Sequence, residues 1–237
     1  MASRPPGKMP IDHAIKERLT ILRARIGAAA HRAHRDVASI RLLLASKTQP
    51  SEAIRAAAHA GALDFGENYV QEAMAKRAEL ADLTDIRWHL IGHLQTNKTK
   101  AAAGAFALIH SVDSVRLAEA IARAQPSPRV HALLEVNLGG EASKTGVAPG
   151  GVAAILDAAR GKIEIDGLMT IPPPARSAEG SRPYFARLRE MRDSLATQSG
   201  YELSELSMGM TDDFEVAIAE GATIVRIGRA VFGERVT

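Results

Sequence analysis

The 237-residue sequence contains no cysteine. That absence excludes disulfides, thiolate nucleophiles and zinc–thiolate centres. Aromatic residues are scarce at 4%, so a chain that is 46% hydrophobic must build its core from Ala, Leu, Ile and Val. No apolar run approaches the roughly 20 residues of a membrane span. The opening MASRPPGKMP carries charge and prolines but no apolar h-region, so it is not expected to act as a secretory signal. Charge of one sign is lacking too: 30 Lys plus Arg against 27 Asp plus Glu leaves +3, without a cluster. Nucleic-acid binding, which needs a basic face, is therefore not expected. Missing as well is the glycine-rich turn of dinucleotide folds. The first strand-like run, IRLLLASKTQP (40–50), ends instead in Ser-Lys-Thr-Gln-Pro. These absences lead us to expect a cytoplasmic protein without membrane contact.

Residues 1–10 read as disordered, and a single domain is expected over 11–237. Ile11, Ile15, Leu19, Leu22 and Ile26 recur at helical spacing and predict an amphipathic helix ending near His34. Strand-like runs follow at 40–46, 63–66, 86–92, 106–112, 129–137, 163–170, 203–209 and 223–228. Ala-, Glu- and Arg-rich helical stretches separate them. Several of these stop at Gly61, Gly161, Gly200 or Gly221, as helices do when the residue after the last turn needs a positive φ. Eight strands alternating with helices predict a (β/α)8 TIM barrel with an extra N-terminal helix. TIPPPARSAEGSRP (170–183) reads as a surface loop after the sixth strand. Trp88 and Phe65 read as core, and Lys98 and Lys100 as a solvated helix face.

In such a barrel function sits where strands end. The residues closing the runs are Lys47, Glu67 and Asn68, His93, Asn137, Met169 and Thr170, Ser207 to Met210, and Arg226 to Arg229. A lysine at a low-dielectric strand end can lose its charge and attack a carbonyl, forming a Schiff base. On position alone, Lys47 is equally readable as a solvated strand end. Ser207, Gly209 and Gly228 come to the mouth after strands seven and eight, where phosphate is often bound, and a short helix near Arg229 would add its positive end. Arg226 shares a strand face with Gly228. Its alternatives are an ion pair with an inward carboxylate such as Glu205, or a contact to a heteroaromatic nitrogen. LGGEASKTG fails as a phosphate-binding P-loop, because its required glycines are Leu138 and Ser143. His31 with His34, and His89 with His93, lack a third ligand, so no metal site is expected.

As an ordered set, LLASKTQP, DFGENYVQE, WHLIGHLQTNK, VNLGGEASKTGV, GLMTIPPP, LSMGMTDDFEVAIAEGATIVRIG and AVFG span residue 40 to the C-terminus. In these segments the chain resembles the pyridoxal 5′-phosphate homeostasis protein family. The resemblance implies the fold-type III barrel, like an alanine-racemase N-terminal domain, with pyridoxal 5′-phosphate (PLP) as an internal aldimine on Lys47. It implies phosphate held by Ser207 and the backbone around Gly209, Gly228 and Arg229, with Asn68 and Met169 lining the pocket and Arg226 facing the pyridine nitrogen. Two positions depart from the family pattern: His93 replaces a proline in IGPLQ, and Arg229 stands where a small hydroxyl residue is common.

The same fold type includes amino-acid racemases, in which a tyrosine from a second, β-rich domain of a partner chain serves one face of the α-carbon. The eight strands here run to Phe232, which is expected to leave no room for such a domain. An arginine at the ring nitrogen also makes the ring a weaker electron sink. The expected role is therefore a non-enzymatic PLP carrier that buffers the cofactor or delivers it to PLP-dependent apo-enzymes. The alternatives are a PLP-dependent racemase and a class I phosphosugar aldolase. No apolar surface patch is evident, and a monomer is expected.

Overall fold

The computed structural model describes residues 11–124, 128–141 and 145–233. The segment expected to be disordered, 1–10, lies outside them, as does Lys144 of the failed P-loop pattern. The chain opens with α1 (Ile11–Arg32) and enters the barrel through β1 (Arg41–Ala45), α2 (Ser51–His59), β2 (Asp64–Glu67) and α3 (Val70–Glu79). It continues with β3 (Arg87–Leu90), α4 (Thr99–Ala102), β4 (Leu108–Val112), α5 (Val115–Ala124) and β5 (His131–Glu135). Next come α6 (Val152–Ala159), β6 (Glu164–Met169), α7 (Arg182–Ser199) and β7 (Glu205–Ser207). The barrel finishes with α8 (Phe214–Ala219), β8 (Ile224–Ile227) and α9 (Arg229–Phe232). All eight predicted strands are present, each within its predicted run or one residue beyond it. They pair in parallel, in chain order, and β8 closes on β1 with Leu43 opposite Arg226.

Helix α1 buries the predicted stripe of Ile15, Leu19, Leu22 and Ile26. It ends two residues before His34, which takes a left-handed φ of 52° so that the Arg35 N–H bonds back to Ala30 O at 2.9 Å. The helix crosses the outside of the β1–β8 seam, against α2, α8 and α9. Arg18 Nη1 donates to Val231 O at 3.2 Å, tying α1 to the last turn of the fold. The four glycines expected to end helices all have positive φ.

Strand parity divides the core in two. Outward residues such as Leu44, Phe65, Trp88, Leu90 and Val225 pack under the helices. Phe65 and Trp88 are in contact, with ring centroids 6.1 Å apart. Inside the barrel, Leu43, Leu108, Leu133, Met169 and Ile224 form an apolar layer, with Ile91 against it. Polar groups occupy the rest of the interior: Asp64, His89, His110, Ser207 and Arg226 are all buried. Among the described residues, no helix is long and apolar enough to cross a membrane.

Candidate functional site

A cavity of about 580 Å³ opens at the C-terminal ends of the strands. This volume is in the range of small-molecule sites. Five of the eight predicted site residues line it: Lys47, Asn68, Arg226, Gly228 and Arg229. The other three lie elsewhere. Met169 belongs to the buried apolar layer, and Gly209 uses its carbonyl to accept from Arg226 N at 2.9 Å. Ser207, expected at a phosphate, is fully buried, and its Oγ is engaged by Arg226 and His110. The hydroxyl that does line the cavity is Thr211, in the loop after β7, where Met210 and Asp212 line it too.

Lys47 sits at the end of β1, half-buried, on a backbone held from both sides. The Lys76 ammonium, on α3, donates to Ser46 O at 2.8 Å, to Glu67 Oε1 at 2.9 Å and to Glu72 Oε1 at 2.7 Å. Ser46 Oγ donates to the same Glu67 oxygen at 2.6 Å. On the other side, Thr48 N–H donates to Glu72 Oε1 at 2.7 Å. Thr48 has a φ of 64°, a left-handed conformation costly for a β-branched residue. The clamp offsets that cost and sets the direction in which Lys47 leaves the strand. Burial raises the Glu67 carboxyl above the usual range, against the lowering pull of Ser46 and Lys76. Sequence reasoning missed Lys76, because a Glu72–Lys76 pair at i,i+4 reads as an ordinary surface ion pair.

Arg226 is 5% exposed and inward on β8. The carboxylate weighed as its partner, Glu205, pairs instead with Arg41 at 3.1 Å. Arg226 donates to Ser207 Oγ at 2.7 Å and to Thr170 O at 3.0 Å. Desolvation brings its pKa down to about 10, opposed by Glu135 and Asp213, so it stays cationic at neutral pH. Close to it, Arg229 pairs with Asp212 at the exposed rim.

The sequence profile of the alanine racemase N-terminal domain matches residues 18–236. The pyridoxal phosphate homeostasis protein of Pseudomonas aeruginosa is 46% identical over 225 residues, which cover 93% of this chain and 96% of that protein. The chain belongs to the pyridoxal phosphate homeostasis protein family. Among solved structures, PipY of Synechococcus elongatus with PLP bound is 40% identical, with a TM-score of 0.82 over 92% of this chain and all of that one. The alanine racemase of Corynebacterium glutamicum shares the fold, with a TM-score of 0.72 at 17% identity; the chain spans 62% of its length.

The two departures from the family pattern take different places. His93 lies outside the cavity lining, half-exposed, with Nδ1 3.3 Å from Asp113 Oδ2. Arg229 lines the cavity with its charge answered by Asp212, and the adjacent Thr211 brings the hydroxyl. The side-chain donors of the cavity are Lys47, Arg226, Arg229, Thr211 and the amides of Asn68 and Gln49. Such a set suits a small anionic aldehyde with a ring acceptor, and PLP fits it in charge and size.

Proposed function

We propose that this chain binds PLP and serves PLP homeostasis, carrying the cofactor on Lys47 and buffering it or passing it to PLP-dependent apo-enzymes. One observation carries the reading. Lys47, Arg226 and the corner formed by Thr211, Gly228 and Arg229 converge on a single cavity, in a chain 40% identical to a protein seen with PLP bound. Bound PLP supplies an electrophilic aldehyde. Lys47, which lines the cavity, would hold that end of the cofactor through Nζ, from a strand end fixed by the clamp on residues 46 and 48. Thr211, Arg229 and the backbone at Gly228 take the phosphate; Asn68 flanks the ring. Arg226 has only donors to offer, so it binds a ring nitrogen without giving up a proton and leaves that nitrogen unprotonated.

The racemase reading is weaker. Racemization needs proton-transfer groups on both faces of the α-carbon. Among the described residues, Lys47 is accompanied in the cavity lining by no tyrosine, histidine or cysteine, and the Asp212 carboxylate is paired with Arg229. The test is the visible spectrum of the purified protein, followed by borohydride reduction and peptide mapping. A yellow protein with the reduced cofactor on Lys47, and no label in Lys47→Ala, is expected. Transfer of the cofactor to an apo-enzyme, without amino-acid turnover, is expected of a carrier. A protein that PLP cannot reconstitute would overturn the reading and favour the aldolase. Robust racemization lost in Lys47→Ala would favour the racemase.

A further inference from the structure

A buried hydrogen-bonded chain runs through the barrel from Arg226 toward the opposite end. Arg226 Nη1 donates to Ser207 Oγ at 2.7 Å, and Ser207 Oγ lies 2.9 Å from His110 Nδ1. His110 Nε2 is 3.1 Å from His89 Nδ1, and His89 Nε2 is 2.9 Å from Asp64 Oδ1. Asp64 also accepts from Arg87 Nε and Nη2 at 2.8 and 2.7 Å. The residues come from β8, β7, β4, β3 and β2, and every residue from Arg226 to Asp64 is buried.

The two ends fix every proton between them. A guanidinium has no acceptor, so Ser207 Oγ must accept from Arg226, and its own hydrogen goes to His110 Nδ1. His110 is then protonated on Nε2 and donates to His89 Nδ1. His89 in turn is protonated on Nε2 and donates to the Asp64 carboxylate. All donors point one way and each imidazole is neutral. A second proton on His110 would turn its Nδ1 into a donor toward Ser207 and leave the serine hydrogen without its acceptor. A second proton on His89 would either set two donors against each other at His110 or drive His110 to its Nδ1–H tautomer, which again leaves the serine hydrogen without its acceptor.

Other charges agree. Facing the relay are Arg41 on β1, paired with Glu205 on β7, and Arg87 on β3, while Glu135 at the end of β5 and Asp213 just before α8 favour the charge on Arg226 itself. At the lower mouth, His131 on β5 pairs with Asp166 on β6. Burial, then His89, Arg226 and Arg41, hold the His110 imidazolium well below its usual range. Burial lowers His89 as well, against Asp64.

The geometry points to Ser207, His110, His89 and Asp64 as positioning residues that hold Arg226 as an oriented, cationic donor at the cavity floor. The carboxylates that favour the charge on Arg226 are Glu135 and Asp213, while the groups its guanidinium donates to, Ser207 Oγ and Thr170 O, are uncharged. This deepens the function proposed above and rests on it.

Two measurements test it. Long-range 1H–15N spectra of the histidine-labelled apoprotein are expected to show His89 and His110 as neutral, Nε2-protonated rings at neutral pH. An imidazolium or an Nδ1-protonated ring at either position overturns the relay, and this readout needs neither a variant nor PLP. In Ser207→Ala, Arg226 loses its acceptor, and PLP affinity is expected to fall about tenfold, with Ser207→Thr close to the parent. The visible band of the Ser207→Ala complex is expected to gain a pH dependence that the parent lacks, as the ring nitrogen takes up a proton. An Ala variant matching the parent in affinity and in its pH profile overturns the positioning role. A parent chain with no PLP affinity overturns the function proposed above instead, and the spectra still decide the relay.

Discussion

Lys76→Met keeps an unbranched apolar stem of similar length, ending one atom short of Nζ, and removes the N–H donors. Ser46 O, Glu67 Oε1 and Glu72 Oε1 each lose a hydrogen bond. Glu72 is partly exposed and still accepts from Thr48 N–H. Glu67 is fully buried and keeps only Ser46 Oγ; its Oε2 has no hydrogen-bond partner among the described residues. Removing one member of a buried pair costs about 3–5 kcal/mol while the other stays ionised. Burial already raises the Glu67 carboxyl, and loss of Lys76 raises it further. A carboxyl whose folded pKa lies above its unfolded value contributes stability at low pH and loses it as pH rises through the folded value. The penalty is therefore expected to be about 3 kcal/mol near pH 8 and smaller near pH 5. For a chain of this size that corresponds to a Tm lower by roughly 6–12 °C. Urea unfolding of the parent, Lys76→Met, Glu67→Gln and the double variant at both pH values measures it. The double variant is expected to recover much of the loss, since it leaves no buried charge unpaired. A Lys76→Met penalty below about 1 kcal/mol, or one independent of pH, or no recovery in the double variant, would refute the reasoning.

Other expectations follow from the same geometry. The Asp64 carboxyl, which burial alone would raise, is pulled down to about 2 by Arg87 and His89. It thus stabilises the fold above its unfolded value of 3.8 and loses that contribution as pH falls through about 2. Asp64→Asn should cost about 2 kcal/mol at neutral pH, a difference from the parent that vanishes across this window in acid unfolding. A Cβ at Gly92 would stand 2.4 Å from Asn68 O, so Gly92→Ala should displace Asn68, weaken PLP binding in a titration and cost about 1–3 kcal/mol in urea. Thr211→Val should weaken PLP about fivefold to tenfold and leave binding of phosphate-free pyridoxal unchanged, which fluorescence titration of both ligands would show.

The strands were legible because both barrel faces are covered, so each one reads as an apolar run bounded by polar ends. Lys47 and Arg226 were legible for a related reason: parity and position at a strand end aim a side chain at the mouth. Depth was not. Ser207 has the right parity, yet its short side chain reaches Arg226 and His110 rather than the opening. Thr211, four residues on, lies in a loop where no period applies. His89 was weighed as a metal ligand with His93, but they are separated: His89 is inside the barrel, and His93 faces Asp113 outside the cavity. The Lys76 clamp was hidden because a pair at i,i+4 carries no sign of burial.

The cavity joins the first strand to the last. Lys47 emerges from the ribosome nearly 180 residues before Arg226, Gly228 and Arg229, and Arg18 of α1 waits for Val231. A nascent chain can therefore fold much of its interior and still own no site. Ligand capture therefore waits for β8: a fragment ending before it would display Lys47 without Arg226, Gly228 or Arg229, and supplying PLP is not expected to rescue it.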